Sequence, residues 1–297
     1  MTSTFEVASK FKDVINEINW EKITTPVMET DDQINDYGDY AVIDNFLQFP
    51  DEFVEAISKC PADYLDVVAK QTHAEIGKFP YGAKDPGVHQ LLVPHYLVPT
   101  LFGFYKACID CEFIPADLNT NLEGEGMKRF LNNLPAYCST VANLMYPGCV
   151  NSVGQNVPTF DRWDYSAVLF LNDSPDSTFN LYDLEWEGKY YANAEDLMEE
   201  KGEVLEDIAQ WLNDNATAKE ESEEYKRYTE GKPGDHFIQT RSVEIVKNRL
   251  VILKGNQFRL TNYSGNGELY QLQIGMNDIP KPKQMDGNEF RNDEVYS

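Results

Sequence analysis

The chain has 297 residues, of which 42% are hydrophobic and 12% aromatic, enough apolar material for one large globular domain or two small ones. Its formal net charge is −25, from 50 acidic and 25 basic residues. This balance excludes binding of nucleic acid or an anionic membrane through a broad basic face, because phosphate contacts need clustered lysine and arginine. The acidity either favours a basic partner surface or reflects a proteome-wide bias of the halotolerant kind.

The segments that would direct the chain to a membrane or out of the cell are not found in the sequence. No apolar run reaches about eighteen residues, so we predict no transmembrane helix. The first residues, MTSTFEVASKFKDVINEI, carry charges throughout and lack the apolar region of a signal peptide. Five cysteines, an odd number, indicate reduced thiols in a cytosol. Cys108 and Cys111 form a lone C-x-x-C, which predicts buried structural thiols rather than a zinc site.

The N-terminal third predicts two helices and a strand. Apolar residues recur at helical spacing over 4–19, and the polar segment 28–40 that follows predicts a loop. Residues 41–43 predict a strand. Pro50 suits the first position of a second helix over about 50–60, since a proline lacks only an N–H that has no partner there.

The middle of the chain predicts a helix followed by strands. A largely apolar helix is expected over 95–109, and strands over 136–145, 149–157 and 165–171. The cluster NDSPDS at 172–177 consists of turn-forming residues and predicts a turn.

An acidic insertion follows at about 190–234. From Glu195 to Glu230 there are thirteen acidic and four basic residues, while apolar residues recur every three or four positions as far as Leu212. This pattern predicts an amphipathic helix and then a more polar one. The insertion either lies on the rest of the domain with its acidic face in water or docks a neighbouring subunit through Trp211 and Leu212.

The C-terminal part predicts four strands and a tail. Strands are expected over 237–246, 250–254, 257–262 and 270–276. After them the chain is polar and contains two prolines, which predicts a flexible tail over 279–297. Phe290 and Tyr296 in the tail are possible anchors for a partner. We therefore expect an arm with a helix at 1–38, one domain at 39–278, and the tail.

Two stretches resemble a known enzyme family. They are Pro158–Asn172, PTFDRWDYSAVLFLN, and Asn248–Leu260, NRLVILKGNQFRL. In frame and spacing they resemble the prolyl-4-hydroxylase-like branch of the Fe(II)/2-oxoglutarate oxygenases, especially its uncharacterised members in tailed phages; Val42–Phe46 resembles the phrase that opens that domain. The resemblance implies an α+β fold with a double-stranded β-helix core, of the jelly-roll or cupin type, and flanking helices.

The same resemblance implies that the iron site is degenerate. The family carries His-x-Asp in the first stretch and a distal His in the second; here the first reads Thr159 and Asp161, and the distal position falls at or beside Arg259. Such iron is held by two imidazoles and one carboxylate, whereas an arginine has no lone pair to donate. Glu268 stands near the place of the base that clamps 2-oxoglutarate. We therefore expect no metal or cofactor. We expect Asp161 either to accept hydrogen bonds from loop amides or to pair with Arg259.

The function expected from this resemblance is structural. We predict a non-catalytic component of a tailed-phage virion, associated with capsid, neck or tail, with other virion proteins or further copies of itself as partners, found in the virion or the host cytoplasm. One alternative is a hydroxylase that uses Fe(II) and 2-oxoglutarate with altered ligands, taken from the four histidines His73, His89, His95 and His236. Another is a jelly roll that binds sugar or peptide through the aromatic residues Phe160, Trp163, Phe258 and Tyr263.

Overall fold

The computed structural model describes four helices and eleven strands. The described residues are 16–27, 34–60, 88–91, 93–94, 97–114, 131–132, 137–145, 158, 163–186, 188–201, 237–265 and 267–277. The helices are α1 (Trp20–Ile23), α2 (Pro50–Ser58), α3 (Val98–Asp110) and α4 (Ala194–Lys201). The strands are β1 (Ile34–Asp36), β2 (Tyr40–Ile43), β3 (Val88–Leu91), β4 (Cys138–Met145), β5 (Tyr165–Phe170), β6 (Ser174–Trp186), β7 (Lys189–Tyr191), β8 (Phe237–Ile245), β9 (Arg249–Lys254), β10 (Phe258–Asn262) and β11 (Leu269–Met276).

The strands form two antiparallel sheets. The large sheet has the order β1-β2-β9-β5-β11-β4-β3. In the small sheet β6 is central, with β8 on one edge and both β7 and β10 on the other. The chain passes from the large sheet to the small one between β9 and β10 and returns between β10 and β11. Such exchange between two facing antiparallel sheets is a property of jelly-roll sandwiches.

Each face of the large sheet belongs to a different hydrophobic core. Successive side chains of a strand point to opposite faces, so β5 contributes Ala167 and Leu169 to one core and Val168 and Phe170 to the other. The first core also contains the buried residues of α2 and α3, which cover the outer face. The second core contains β6 and β8 residues, so it lies between the two sheets. The inner faces of the sheets therefore enclose the interior in which a site would lie.

The local sequence explains the two covering helices. Pro50 occupies the first turn of α2, where its missing N–H costs nothing, and Asp51 and Glu52 in the same turn suit the positive end of the helix dipole. The helix buries Phe53, Ala56 and Ile57 on one face, at helical spacing. In α3 the apolar residues cover most of the surface, as expected for a helix packed tightly against a sheet.

Most predicted elements are confirmed with small changes at their ends. The described part of the chain combines helices with antiparallel sheets, as the α+β class requires. The strands predicted over 136–145, 165–171, 237–246, 250–254, 257–262 and 270–276 correspond to β4, β5, β8, β9, β10 and β11. Helices α2 and α3 correspond to the predictions over 50–60 and 95–109. Helix α4 lies within the range given for the acidic insertion, which itself stays a prediction.

Two predictions of irregular structure are wrong in part. Residues 34–36 form β1, an edge strand that pairs with β2 across a turn in which Asp36 Oδ1 accepts a hydrogen bond from Gly38 N, 2.8 Å long. The arm predicted to end at residue 38 thus includes a strand of the large sheet. β6 begins at Ser174, inside the predicted turn, because a bulge between Ser174 and Thr178 accommodates the turn-forming residues within the strand.

The prediction of buried thiols is confirmed for Cys108 and Cys111. Cys60, Cys108, Cys111 and Cys138 are free and buried, in the core under the helices. Burial raises the pKa of Cys60 to about 11 and that of Cys111 to about 12, so neither is a thiolate at neutral pH.

Several predictions fall outside the described residues. These are most of the helix over 4–19, the strand over 149–157, the insertion after residue 201 with Trp211 and Leu212, and the tail with Phe290 and Tyr296. In the part of the chain that is described, no helix is long and apolar enough to cross a membrane.

Candidate functional site

One end of the interior between the sheets is polar. β11 places Leu269 in the core between the sheets, and Gln271 and Gln273 follow it on the same face because the side-chain period is two. Asn143 of β4 lies opposite Gln271 in the ladder. Ser166 of β5 lies two residues from Val168, the β5 partner of Gln273, and so on the same face. Gln271, Asn143 and Ser166 are buried. We call Asn143, Ser166, Gln271 and Gln273 the polar floor; all four side chains are neutral.

The small sheet presents Arg259 to this interior. In the ladder between β10 and β6, Arg259 lies opposite Leu181, and Thr261 lies opposite Phe179. Leu181 and Phe179 both belong to the core between the sheets, so Arg259 and Thr261 face inward with them. The hydroxyl of Thr261 lies 3.5 Å from Gln271 Oε1, which joins the two sheets at this point. Arg259 is 5% exposed, so its guanidinium is buried in the sandwich.

Trp163 closes the polar end of the interior at Gly275 of β11. Its indole ring packs against Gly275, in the space that a side chain at that position would fill. Gly275 follows Gln273 on the inner face of β11, and its ladder partner on β5 is Ser166. Glycine allows this close approach because it has no Cβ. The tryptophan therefore limits the depth of the interior beside Ser166.

These residues do not fit a ferrous ion. Fe(II) in oxygenases is bound by imidazole nitrogens and carboxylate oxygens, whereas the polar floor offers amides and hydroxyls, and Arg259 adds a permanent positive charge. Among the described residues, no three His, Cys, Asp or Glu side chains are grouped so that they could hold a metal ion. Amides and a guanidinium are suited to hydrogen-bonding a carboxylate or another polar side chain.

The structure separates Glu268 from Arg259. Glu268 is exposed just before β11, and its carboxylate accepts a hydrogen bond of 2.6 Å from the hydroxyl of Tyr270. Its backbone oxygen accepts from Asn172 Nδ2 at 2.7 Å, while Asn172 Oδ1 accepts from Tyr270 N at 2.8 Å. Tyr270 packs against the core on the outer face of the large sheet. The carboxylate of Glu268 thus lies on the side of the sheet away from Arg259.

Thr159 and Asp161 lie outside the described residues, so the pairing of Asp161 with Arg259 stays a prediction. Of the four histidines, only His89 is described; its backbone lies in β3, opposite Leu144 of β4. The alternative iron site, with ligands taken from these histidines, therefore also stays a hypothesis.

The predicted aromatic mouth is wrong for two of its residues. Phe258 alternates with Arg259 and so lies on the outer face of the small sheet, where its ring meets that of Phe237 edge to face at 5.4 Å. Tyr263 is buried in the core between the sheets, and its hydroxyl donates to the backbone oxygen of Gly267. Of the three described residues of this set, only Trp163 lies at the polar end of the interior.

Sequence reasoning found Arg259 and missed the polar floor. The alternation Leu269, Gln271, Gln273 in β11 was a usable signal, because a strand that places leucine inward also places its second neighbours inward. What the sequence lacked was the partner strand: Asn143 joins the group only through the ladder between β4 and β11.

The sequence matches no family model and no curated protein sequence. Among solved structures it is similar to a prolyl-4-hydroxylase from Pseudomonas putida, with 12% identity, a TM-score of 0.36, and coverage of 80% of this chain and 92% of that one. It is also similar to SnoK, a non-heme alpha-ketoglutarate-dependent carbocyclase from nogalamycin biosynthesis (12%, TM-score 0.33, coverage 85% and 87%). A third is HygX from Streptomyces hygroscopicus with nickel, 2-oxoglutarate and hygromycin B bound (8%, TM-score 0.32, coverage 83% and 86%). TM-scores below 0.5 do not establish a common activity.

Proposed function

We propose that this chain is a non-catalytic protein with an oxygenase-like fold, and that it serves as a structural or interaction component of a tailed-phage virion. The observation that supports the loss of catalysis is the buried, inward-facing Arg259. It stands at or beside the position where the sequence resemblance expects an iron-binding imidazole. A guanidinium has no lone pair for a metal and repels a dication, most strongly where water is excluded.

The surface supports a role in interaction. With a net charge of −25 the protein attracts basic surfaces at long range and repels other acidic ones. Helix α4 buries Ala194 and Leu197 and exposes Glu195, Asp196 and Glu199. The apolar face of α4 packs against the domain, so its acidic face is available to a basic neighbour. That neighbour is either another virion protein or a further copy of this chain that presents a basic surface.

The second candidate is a Fe(II)/2-oxoglutarate-dependent hydroxylase with altered ligands. What favours it is Asp161, which keeps the carboxylate of the family's His-x-Asp. It needs two further ligands in place of Thr159 and Arg259.

Quantitative mass spectrometry of purified particles tests the proposal. We expect the protein in gradient-purified virions at a fixed ratio to the major capsid or tail proteins, retained after washing with high salt. Absence from particles, together with formation of succinate from 2-oxoglutarate when the purified protein is given Fe(II) and oxygen, would establish the hydroxylase instead.

A further inference from the structure

A cleft of about 250 Å³ opens between the β1–β2 end of the large sheet and the small sheet. One wall is the β1–β2 turn, which supplies Tyr37, Asp39 and Tyr40. The other is the small sheet, which supplies Asp183 of β6 and Arg241 of β8. This cleft is separate from the polar floor, whose four residues do not line it.

The two tyrosine rings that line the cleft differ in their exposure to water. The rings of Tyr37 and Tyr40 stack with their centroids 4.6 Å apart and 11° between their planes. Tyr40 is 8% exposed and anchored in the core between the sheets, whereas Tyr37 is 58% exposed. A flat ring held rigidly by a buried one, with most of its own surface in water, is a platform for a planar or cationic group.

The charged residues that line the cleft carry an excess of one negative charge. Asp39 on one wall and Asp183 on the other are accompanied in this lining by a single cation, Arg241, whose Nη1 donates to the backbone oxygen of Thr240 at 2.9 Å. Neither carboxylate accepts a hydrogen bond from a residue in the described part of the chain. Burial raises the pKa of Asp183, Arg241 opposes that rise, and Asp39 adds to it. An added cation would compensate both carboxylates where Arg241 does so only in part.

Two exposed apolar side chains lie on the small sheet next to the strand that carries Asp183. Ile238, 46% exposed, is the ladder partner of Asp183, and Tyr190, 58% exposed, is the partner of Glu185 two residues further along β6. With Tyr37 they make up three of the four large hydrophobic residues that are exposed in the described part of the chain. Such a grouping near a cleft indicates contact with another polypeptide rather than with a small ion alone.

We propose that this cleft receives an arginine side chain from a partner polypeptide, with the guanidinium against Tyr37 and between Asp39 and Asp183. Arginine fits better than lysine because its planar guanidinium stacks on an aromatic ring while its fork of N–H groups bonds to carboxylates. The apolar residues Tyr190 and Ile238 then contact the segment that carries the arginine. The identity of the source as a polypeptide rests on the proposed interaction role.

The test is a titration of the ¹⁵N-labelled full chain with Nα-acetyl-arginine amide, followed by amide chemical shifts. Nα-acetyl-citrulline amide is the matched neutral probe, because it has the same shape without the charge. We expect saturable shifts at Tyr37, Asp39 and Asp183, and binding of the citrulline probe at least about tenfold weaker. Equal binding of the two probes, or no shift at these residues, overturns the proposal, as does tighter binding of a neutral sugar at the same residues.

Variants assign the effect to the cleft. Asp183→Asn keeps the shape and removes one charge, so we expect about tenfold weaker binding of the arginine probe; Tyr37→Ser, at an exposed position, should weaken it as well. Glu52→Gln, on α2 across the large sheet, removes one exposed charge of the same sign and should leave binding unchanged. An equal loss of affinity in Glu52→Gln would show that net charge alone attracts the probe, and it would overturn the proposed arginine site.

The outcomes separate this proposal from the proposed function. If the cleft binds arginine and the protein also produces succinate, the arginine site is supported and the non-catalytic role is rejected. If the protein is found in particles but does not bind the arginine probe, the arginine site is rejected and the structural role is supported.

Discussion

Replacing Phe170 with alanine is expected to destabilise the protein by about 3–5 kcal/mol, the usual cost of removing a fully buried aromatic side chain. Phe170 is 0% exposed in the core between the sheets. Its ring meets that of Phe179 edge to face at 5.8 Å, so it joins the central β5 of the large sheet to the central β6 of the small one. The measurement is the free energy of unfolding from urea denaturation followed by circular dichroism.

Tyr190→Ala is the matched control for this prediction, since it removes an aromatic ring that is 58% exposed. We expect a change within about 0.5 kcal/mol. If Phe170→Ala cost no more than this control, the two sheets would not be packed face to face through that ring.

Replacing Asn248 with alanine is expected to cost at least about 3 kcal/mol. The side chain is buried and makes two hydrogen bonds to one residue: Oδ1 accepts from Leu47 N at 2.8 Å, and Nδ2 donates to Leu47 O at 2.9 Å. Alanine leaves both backbone groups without these partners, at roughly 1–3 kcal/mol each. Asn248 also has a φ of 61°, a conformation that asparagine tolerates better than alanine, which adds about 1 kcal/mol.

Two variants separate these contributions, again by urea denaturation. Asn248→Gly keeps the positive φ and loses the hydrogen bonds, so it should cost less than Asn248→Ala but remain clearly destabilising. Asn45→Ala changes an exposed asparagine with a φ of 56°, so it should cost only the backbone part, about 1 kcal/mol. A cost for Asn248→Ala no larger than for Asn45→Ala would contradict the role given to the Leu47 hydrogen bonds.

The sequence was sufficient to predict the strands that consist of unbroken apolar residues. β5 and β9 are buried on both faces and lie side by side in the large sheet, so their unbroken apolar runs marked them. It was insufficient for β6, whose first residues are turn formers, although the alternation of Phe179 and Leu181 with polar neighbours carried the signal of a half-buried strand. For β1 no signal existed, because three residues at a sheet edge are held by backbone pairing alone.

The candidate site was predictable only in part for a similar reason. Arg259 was found because its position within one continuous stretch, Asn248–Leu260, could be matched residue by residue. The polar floor depends on which strands are neighbours, and the cleft brings together Tyr37, Asp183 and Arg241 from distant parts of the chain. Local patterns do not contain such pairings. The exposed position of Glu268 likewise depends on the bonds of Asn172 to the start of β11.

Binding of iron by the unmodified protein tests the central claim most directly. The measurement is anaerobic equilibrium dialysis against Fe(II) with 2-oxoglutarate present, followed by metal analysis. The double variant Thr159→His and Arg259→His serves as comparison, because under the family resemblance it restores the two imidazoles that accompany a carboxylate such as Asp161. We predict that the unmodified chain retains no stoichiometric iron and that the double variant gains it. One iron ion per unmodified chain would contradict the account.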